Sequence, residues 1–113
     1  MTAPAKLPFE VVRARRAGAR LAAVQALYSM EQTGRSARAV IAEFRADRLG
    51  LGPDGAPVEE ADPDLFGSVV NNVVDRQADV DAAIAGRLSA GWKLTRVDAL
   101  SRALLRAATG EFL

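Results

Sequence analysis

The chain has 113 residues, half of them apolar, and a formal net charge of +1. That length suits one modest hydrophobic core, and the apolar share argues against wholesale disorder. Cysteine and histidine are both absent, which excludes disulfides, Cys/His zinc sites, histidine-paired nucleophiles and histidine acid–base chemistry.

The opening MTAPAKLPFEVV lacks the apolar h-region of a secretory signal. Residues 1–8 are expected to be a flexible N-terminus. The arginines that follow, acid-poor as in a transit peptide, run straight into a helix pattern. No apolar run approaches the roughly 18 residues needed to cross a bilayer, so a cytoplasmic protein with no membrane contact is expected.

The first helix is predicted from Phe9 to Gln32, with Pro8 ahead of it and Thr33-Gly34 ending it. Ala14, Ala17, Leu21, Val24 and Tyr28 follow i, i+3/i+4 spacing and are expected to face the core. Arg13, Arg16 and Arg20 share a neighbouring stripe, whereas Arg15 points elsewhere. None of the four has an acid one turn further on. A guanidinium fork makes bidentate, charge-assisted bonds to phosphate. The stripe therefore reads either as a nucleic-acid contact or as a solvated face.

A second helix is expected from Ser36 as N-cap to Gly50, burying Val40, Ile41 and Phe44. An acidic Gly/Pro loop, GLGPDGAPVEEAD, fills residues 50–62. Its Gly50, Gly52 and Gly55 spell GxGxxG, but a dinucleotide site needs that triplet between a strand and a helix. Here a helix precedes it, Pro53 and Asp54 interrupt it, and the acids that follow would repel phosphate.

Asp62-Pro63 is a helix start: an Asp N-cap, Pro in the first turn, and Asp64 favoured by the helix dipole. Phe66, Val69, Val73, Val80, Ile84 and Leu88 mark one long helix, kinked or straight, reaching about Leu88. Asp75 and Asp79 stand four apart with Asp81 nearby, and read as a solvated face. No metal ligand set, cofactor site or catalytic residue is visible. Gly91 and Trp92 fall in a connector. A last helix begins between Thr95 and Asp98 and runs through Leu100, Leu104, Ala107 and Ala108. The fold class is all-α, a helical bundle in a single domain over 1–113, without internal repeats.

Charge is unevenly spread. Residues 1–35 hold Lys6, Arg13, Arg15, Arg16, Arg20 and Arg35 against Glu10 and Glu31, an excess of +4. Residues 54–64 hold Asp54, Glu59, Glu60, Asp62 and Asp64 and no base. From 85 onward Arg87, Lys93, Arg96, Arg102 and Arg106 oppose Asp98 and Glu111, an excess of +3. Two basic ends flanking an acidic loop form an address for a polyanion. The few aromatics exclude a sheet-type RNA module, and no tight two-helix unit with a basic second helix is visible for DNA.

ARLAAVQALYSMEQTG, LFGSVVNNVVDRQADVDAAIAGRL and WKLTRVDALSRALLRAATGEFL together resemble the NusB family of transcription antitermination factors. The likeness covers roughly residues 13–33 and 62–113. Its specific parts are the Arg-rich entry to AxQALY, Trp92 in W-x-L-x-R, and the LLR-A core of the last helix. The resemblance implies two packed helical subdomains and a non-enzymatic RNA-binding factor. With the ribosomal protein NusE, such a factor binds boxA-like RNA in ribosomal RNA leaders and joins the RNA polymerase antitermination complex.

The same resemblance assigns RNA binding to Arg13, Arg15, Arg16 and Arg20, and partner binding to Tyr28, Asp98, Ser101 and Arg102. Ser101 departs from the Glu of many members, and Gly110 stands where the usual ending is YEL, so a ring that normally packs is lost. Members usually continue for a few dozen residues beyond the point matched by Leu113. Without that segment, Leu100, Leu104, Ala107 and Phe112, with part of the Val69–Val73–Val80 face, are expected to be bared, so that the chain either self-associates, as a homodimer or through a swapped helix, or is markedly less stable than an extended version. The alternatives are a NusB-fold interaction module without RNA binding, or the N-terminal part of a ribosomal RNA methyltransferase.

Overall fold

The computed structural model of the chain describes residues 8–50 and 60–113. Most of the expected flexible N-terminus and of the acidic loop, with Gly52 and Gly55, lies outside the described residues. Among those described, helices alternate with short turns: α1 (Phe9–Thr33), α2 (Ala37–Asp47), α3 (Pro63–Asp75), α4 (Gln77–Ala85), a single 3-10 turn (Leu94–Arg96) and α5 (Ala99–Phe112). The all-α bundle is as the periodicity predicted, with no strand among the described residues. No helix among them is long and apolar enough to cross a membrane.

The ends of the helices follow local chemistry. Gly34 closes α1 in the left-handed region at φ 72°, donating its N–H to the Met30 carbonyl, a conformation that glycine adopts without strain. The Ser36 side chain caps α2 by accepting from the Ala39 N–H. The Asp62 carboxylate accepts from the N–H groups of Asp64 and Leu65, with Pro63 in the first turn of α3. Asp98 caps α5 by accepting from the Ser101 N–H.

The one long helix expected over 62–88 is two. Arg76, at φ −120° and ψ 30°, ends α3 and precedes α4, so Asp75 and Asp79 sit on different helices. Asp79 pairs with Arg76 and Asp81 with Arg106. The buried residues Phe66, Val69, Val73, Val80 and Ile84 nevertheless match the predicted stripe.

The face that α1 buries differs from the expected one. Ala19, Ala22, Ala23, Ala26 and Leu27 are buried, whereas Ala14, Ala17, Leu21 and Tyr28 are exposed and only Val24 is shared. An alanine-rich helix is apolar around most of its circumference, so the 3.6-residue period does not choose one stripe. The choice is made by packing: α1 lies against α3 and α5, with small alanines permitting close approach. On the opposite flank, Phe44 of α2 stacks on Phe66 of α3 with ring centroids 5.5 Å apart.

At Gly110, α5 packs closely on α3. A Cβ there would lie 2.5 Å from Val73 Cγ2 and 3.6 Å from the Val69 carbonyl oxygen. The Asn72 amide also donates to the Gly110 carbonyl oxygen at 3.3 Å. A ring at 110 has no space in this packing, so the glycine is a point of close approach and not simply a missing side chain. Gly110→Ala gains roughly 1 kcal/mol of helix propensity but forces a stiff, buried valine to move, at a cost of about 1–3 kcal/mol. A net loss of stability is expected, and a larger loss for Gly110→Leu, both read from urea melts.

Candidate RNA and partner interface

α1 and α5 run antiparallel: Arg20 pairs with Glu111 at one end and Glu31 with Arg102 at the other. The four basic residues of α1 therefore meet different surroundings. Arg13 and Arg16 are exposed and make no salt bridge among the described residues. Arg15 is half-buried and donates to the Glu60 carbonyl at 3.0 Å, while its own carbonyl accepts from the Asp62 N–H. It pins the return of the chain into α3.

Arg20 is tied bidentately to Glu111, Nε and Nη2 lying 2.8–3.0 Å from the carboxylate oxygens. The Arg20 hydrogen bonds hold the Glu111 carboxyl below the ordinary glutamate range, with further help from the charges of Arg20 and Arg16. Residue spacing cannot show an acid 91 positions away in sequence, so sequence reading left Arg20 open. Exposed ion pairs contribute only about 0–1 kcal/mol, so phosphate can compete for Arg20 at small cost.

The residues that the resemblance assigned to a partner also separate. Tyr28 is 39% exposed, on the outer flank of α1. Asp98 and Ser101 form the start of α5. Hydrogen bonds from the Ser101 backbone and side chain hold the Asp98 carboxyl below its usual range, so Ser101 contributes to the cap without the glutamate. Arg102 is committed inside the chain: it donates to Glu31 and to the carbonyls of Leu94 and Val97. It braces the 3-10 turn against α1 and α5.

Glu31 is the hub of that brace. It accepts from Arg102 and from Arg106, which also grips Asp81 of α4 at 2.8 and 3.0 Å. The hydrogen bonds from Arg102, first, and then the nearby arginine charges hold the Glu31 carboxyl below its ordinary range. A carboxyl depressed in the folded state contributes stability above its unfolded pKa, and that contribution is lost as pH falls through the folded value. Melts taken from pH 7 down to 3 are expected to show an acid loss that Glu31→Gln flattens.

An apolar strip runs along the outside of the α1–α5 pair. Val24 and Leu104 line one shallow hollow with Val69, Ala107 and Ala108, rimmed by Arg20 and Glu111. Leu21 and Tyr28 flank Val24 on α1, and Leu100 precedes Leu104 by one turn of α5. Leu21, Tyr28, Leu100 and Leu104 are all at least 39% exposed, Leu100 and Leu104 more than half. Of the residues expected to be bared, Leu100, Leu104 and Phe112 are exposed, whereas Ala107, Val69, Val73 and Val80 are covered. No group of three or more acids that could hold a metal occurs among the described residues.

The α1–α5 pair thus brings together a basic N-terminal half of one helix, an apolar strip and a capped helix start. The family model described as the NusB family matches residues 17–113. A Transcription antitermination protein NusB of Hyphomonas neptunium is 70% identical over 108 residues, covering 96% of this chain and 70% of that protein. The protein of the same name from Maricaulis maris is 48% identical over 99% of this chain and 70% of its own length. That of Agrobacterium fabrum is 47% identical over 87% of this chain and 59% of its own. No solved structure matches the chain. The chain belongs to the NusB family, a family of antitermination proteins and not of enzymes.

Proposed function

We propose that this chain is an RNA-binding transcription antitermination factor. It binds boxA-type ribosomal RNA leader elements together with the NusE ribosomal protein and joins the elongating RNA polymerase in the cytoplasm. The observation that carries the RNA reading is the contrast within the arginine set. Arg15 and Arg20 are bonded within the chain, whereas Arg13 and Arg16 are exposed cations, three residues apart, that make no salt bridge among the described residues. Unpaired guanidinium groups on one helix stripe suit the phosphates of a single strand.

NusE fits the apolar strip. Tyr28 lies about 18 Å along the α1 axis from Arg16, at 1.5 Å per residue, so RNA and protein can occupy the same helix without competing. Asp98 and Ser101 border the strip, and Arg102 acts behind them as the brace. Tyr28→Asp is expected to abolish NusE binding with little loss of helicity, because a carboxylate at a part-exposed position stays hydrated. Loss of circular dichroism together with loss of binding would place Tyr28 in the core instead.

Equilibrium binding of the chain to boxA-like and scrambled RNA, alone and with NusE, tests the whole reading. Preference for boxA-like RNA, sharpened by NusE, is expected. Equal, weak binding to both with NusE present would leave only the interaction module. Light scattering across a concentration series shows whether two copies cover the strip instead, and added NusE is expected to leave a one-to-one complex.

A further inference from the structure

We propose that the connector between α4 and α5 is a second contact for single-stranded nucleic acid, in which Trp92 stacks on a base and Arg87, Lys93 and Arg96 hold the neighbouring phosphates. The proposal deepens the RNA-binding reading and concerns residues remote from the arginines of α1.

Trp92 is the chain's single tryptophan, and it is 60% exposed. Tryptophan is highly buried on average, so an indole this open in a described turn is unusual. The turn itself presents it. Gly91 takes φ 86°, in the left-handed region where a side chain would be strained. The Trp92 N–H donates to the Ser89 carbonyl at 3.0 Å, closing the turn behind it. Its indole N–H has no protein acceptor among the described residues.

The surrounding charge is of one sign. Residues 82–97 contain Arg87, Lys93 and Arg96 and no acid. All three cations are exposed and none makes a salt bridge among the described residues. The nearby acids are engaged: Asp81 by Arg106, Asp79 by Arg76, and Asp98 by the cap of α5. By contrast, Arg102 and Arg106, equally close in sequence to this end of α5, are consumed by Glu31 and Asp81. The fold thus pairs the cations that face inward and leaves bare those that flank the indole.

An aromatic platform between free cations is the arrangement that single strands use, with stacking for the base and unpaired charge for the backbone. A protein partner would want apolar neighbours around the tryptophan, and residues 86–93 supply only Leu88 and Ala90 beside it. The connector lies at the end of the α1–α5 pair opposite Arg13 and Arg16, since α5 begins beside Glu31. One RNA strand reaching both sites would run the length of that pair.

The lone tryptophan is its own reporter. The full chain would be titrated with a boxA-like RNA and with an oligouridylate of about twelve nucleotides, following tryptophan emission, while anisotropy of labelled RNA reports total binding. Saturable quenching that weakens with added salt is expected. Trp92→Ala should lower affinity about 5- to 150-fold, the worth of one stacked base, while Trp92→Phe retains most of it. Lys93→Ala with Arg96→Ala should flatten the salt slope by about 1.4. Arg13→Ala with Arg16→Ala should weaken binding yet keep the full quench at saturation.

RNA binding by anisotropy with unchanged emission, and Trp92→Ala binding as tightly as the parent, would overturn this proposal and leave the α1 reading standing. No RNA binding at all would overturn both. Emission blind to RNA but shifted by anionic phosphatidylserine vesicles would assign the turn to a membrane surface, which also overturns it.

Discussion

Phe66→Ala is expected to lower the unfolding free energy by about 3–5 kcal/mol, close to the whole stability of a marginal domain. The side chain is fully buried at the first turn of α3 and stacks on Phe44, which is itself buried. Truncation removes the apolar area and the ring–ring contact together. It also opens a cavity that the capped end of α3 cannot readily collapse, because Asp62, Pro63 and the Arg45 bond to the Pro63 carbonyl fix the backbone there. Urea unfolding followed by circular dichroism checks it. A loss below about 1 kcal/mol would show that the α2–α3 face is loosely packed. Phe66→Leu should cost less than the alanine, since most of the volume is kept.

Glu31→Ala carries the second large effect, expected at about 1.5–3 kcal/mol near neutral pH. One carboxylate joins Arg102 and Arg106, whose side chains are only 15% and 17% exposed, and through Arg106 reaches Asp81. Removing it leaves two guanidinium groups side by side, part-buried and with one acid between them. Losing one partner of such an arrangement costs more than the pair itself contributes. The loss should change little with salt, unlike that from an exposed pair such as Arg20–Glu111. A cycle with Arg102→Ala separates the coupling from simple truncation: a coupling energy near zero would mean that the three groups act independently.

Several helix boundaries were readable because single residues define them, although α2 stops at Asp47, short of the expected Gly50, and α4 at Ala85, short of Leu88. Pro8, Gly34, Ser36, Asp62-Pro63 and Asp98 each act through a local hydrogen bond or a fixed dihedral, and the structure uses each in that way. The break at Arg76 was not readable, because nothing in its residue type forbids helix; α3 and α4 part there to meet different neighbours. The buried face of α1 was hidden by its alanines. Long-range pairs were hidden as well. Glu111 on Arg20 and Glu31 on Arg102 join residues 91 and 71 positions apart, and these pairs decide which arginines remain free. Trp92 was visible in a connector and in the W-x-L-x-R likeness but not as an exposed ring, and its exposure follows from the turn at Gly91.

The claim that Arg13 and Arg16 hold RNA phosphates is tested most directly by the salt dependence of binding. Affinity of the parent and of the Arg13→Ala, Arg16→Ala double variant for boxA-like RNA would be measured over a range of salt concentrations, with circular dichroism confirming unchanged helicity. Each phosphate contact on a single strand contributes about 0.7 to the slope of log affinity against log salt, so the double variant should be flatter by about 1.4 and bind more weakly. Equal slopes and equal affinities in the two proteins would contradict the account.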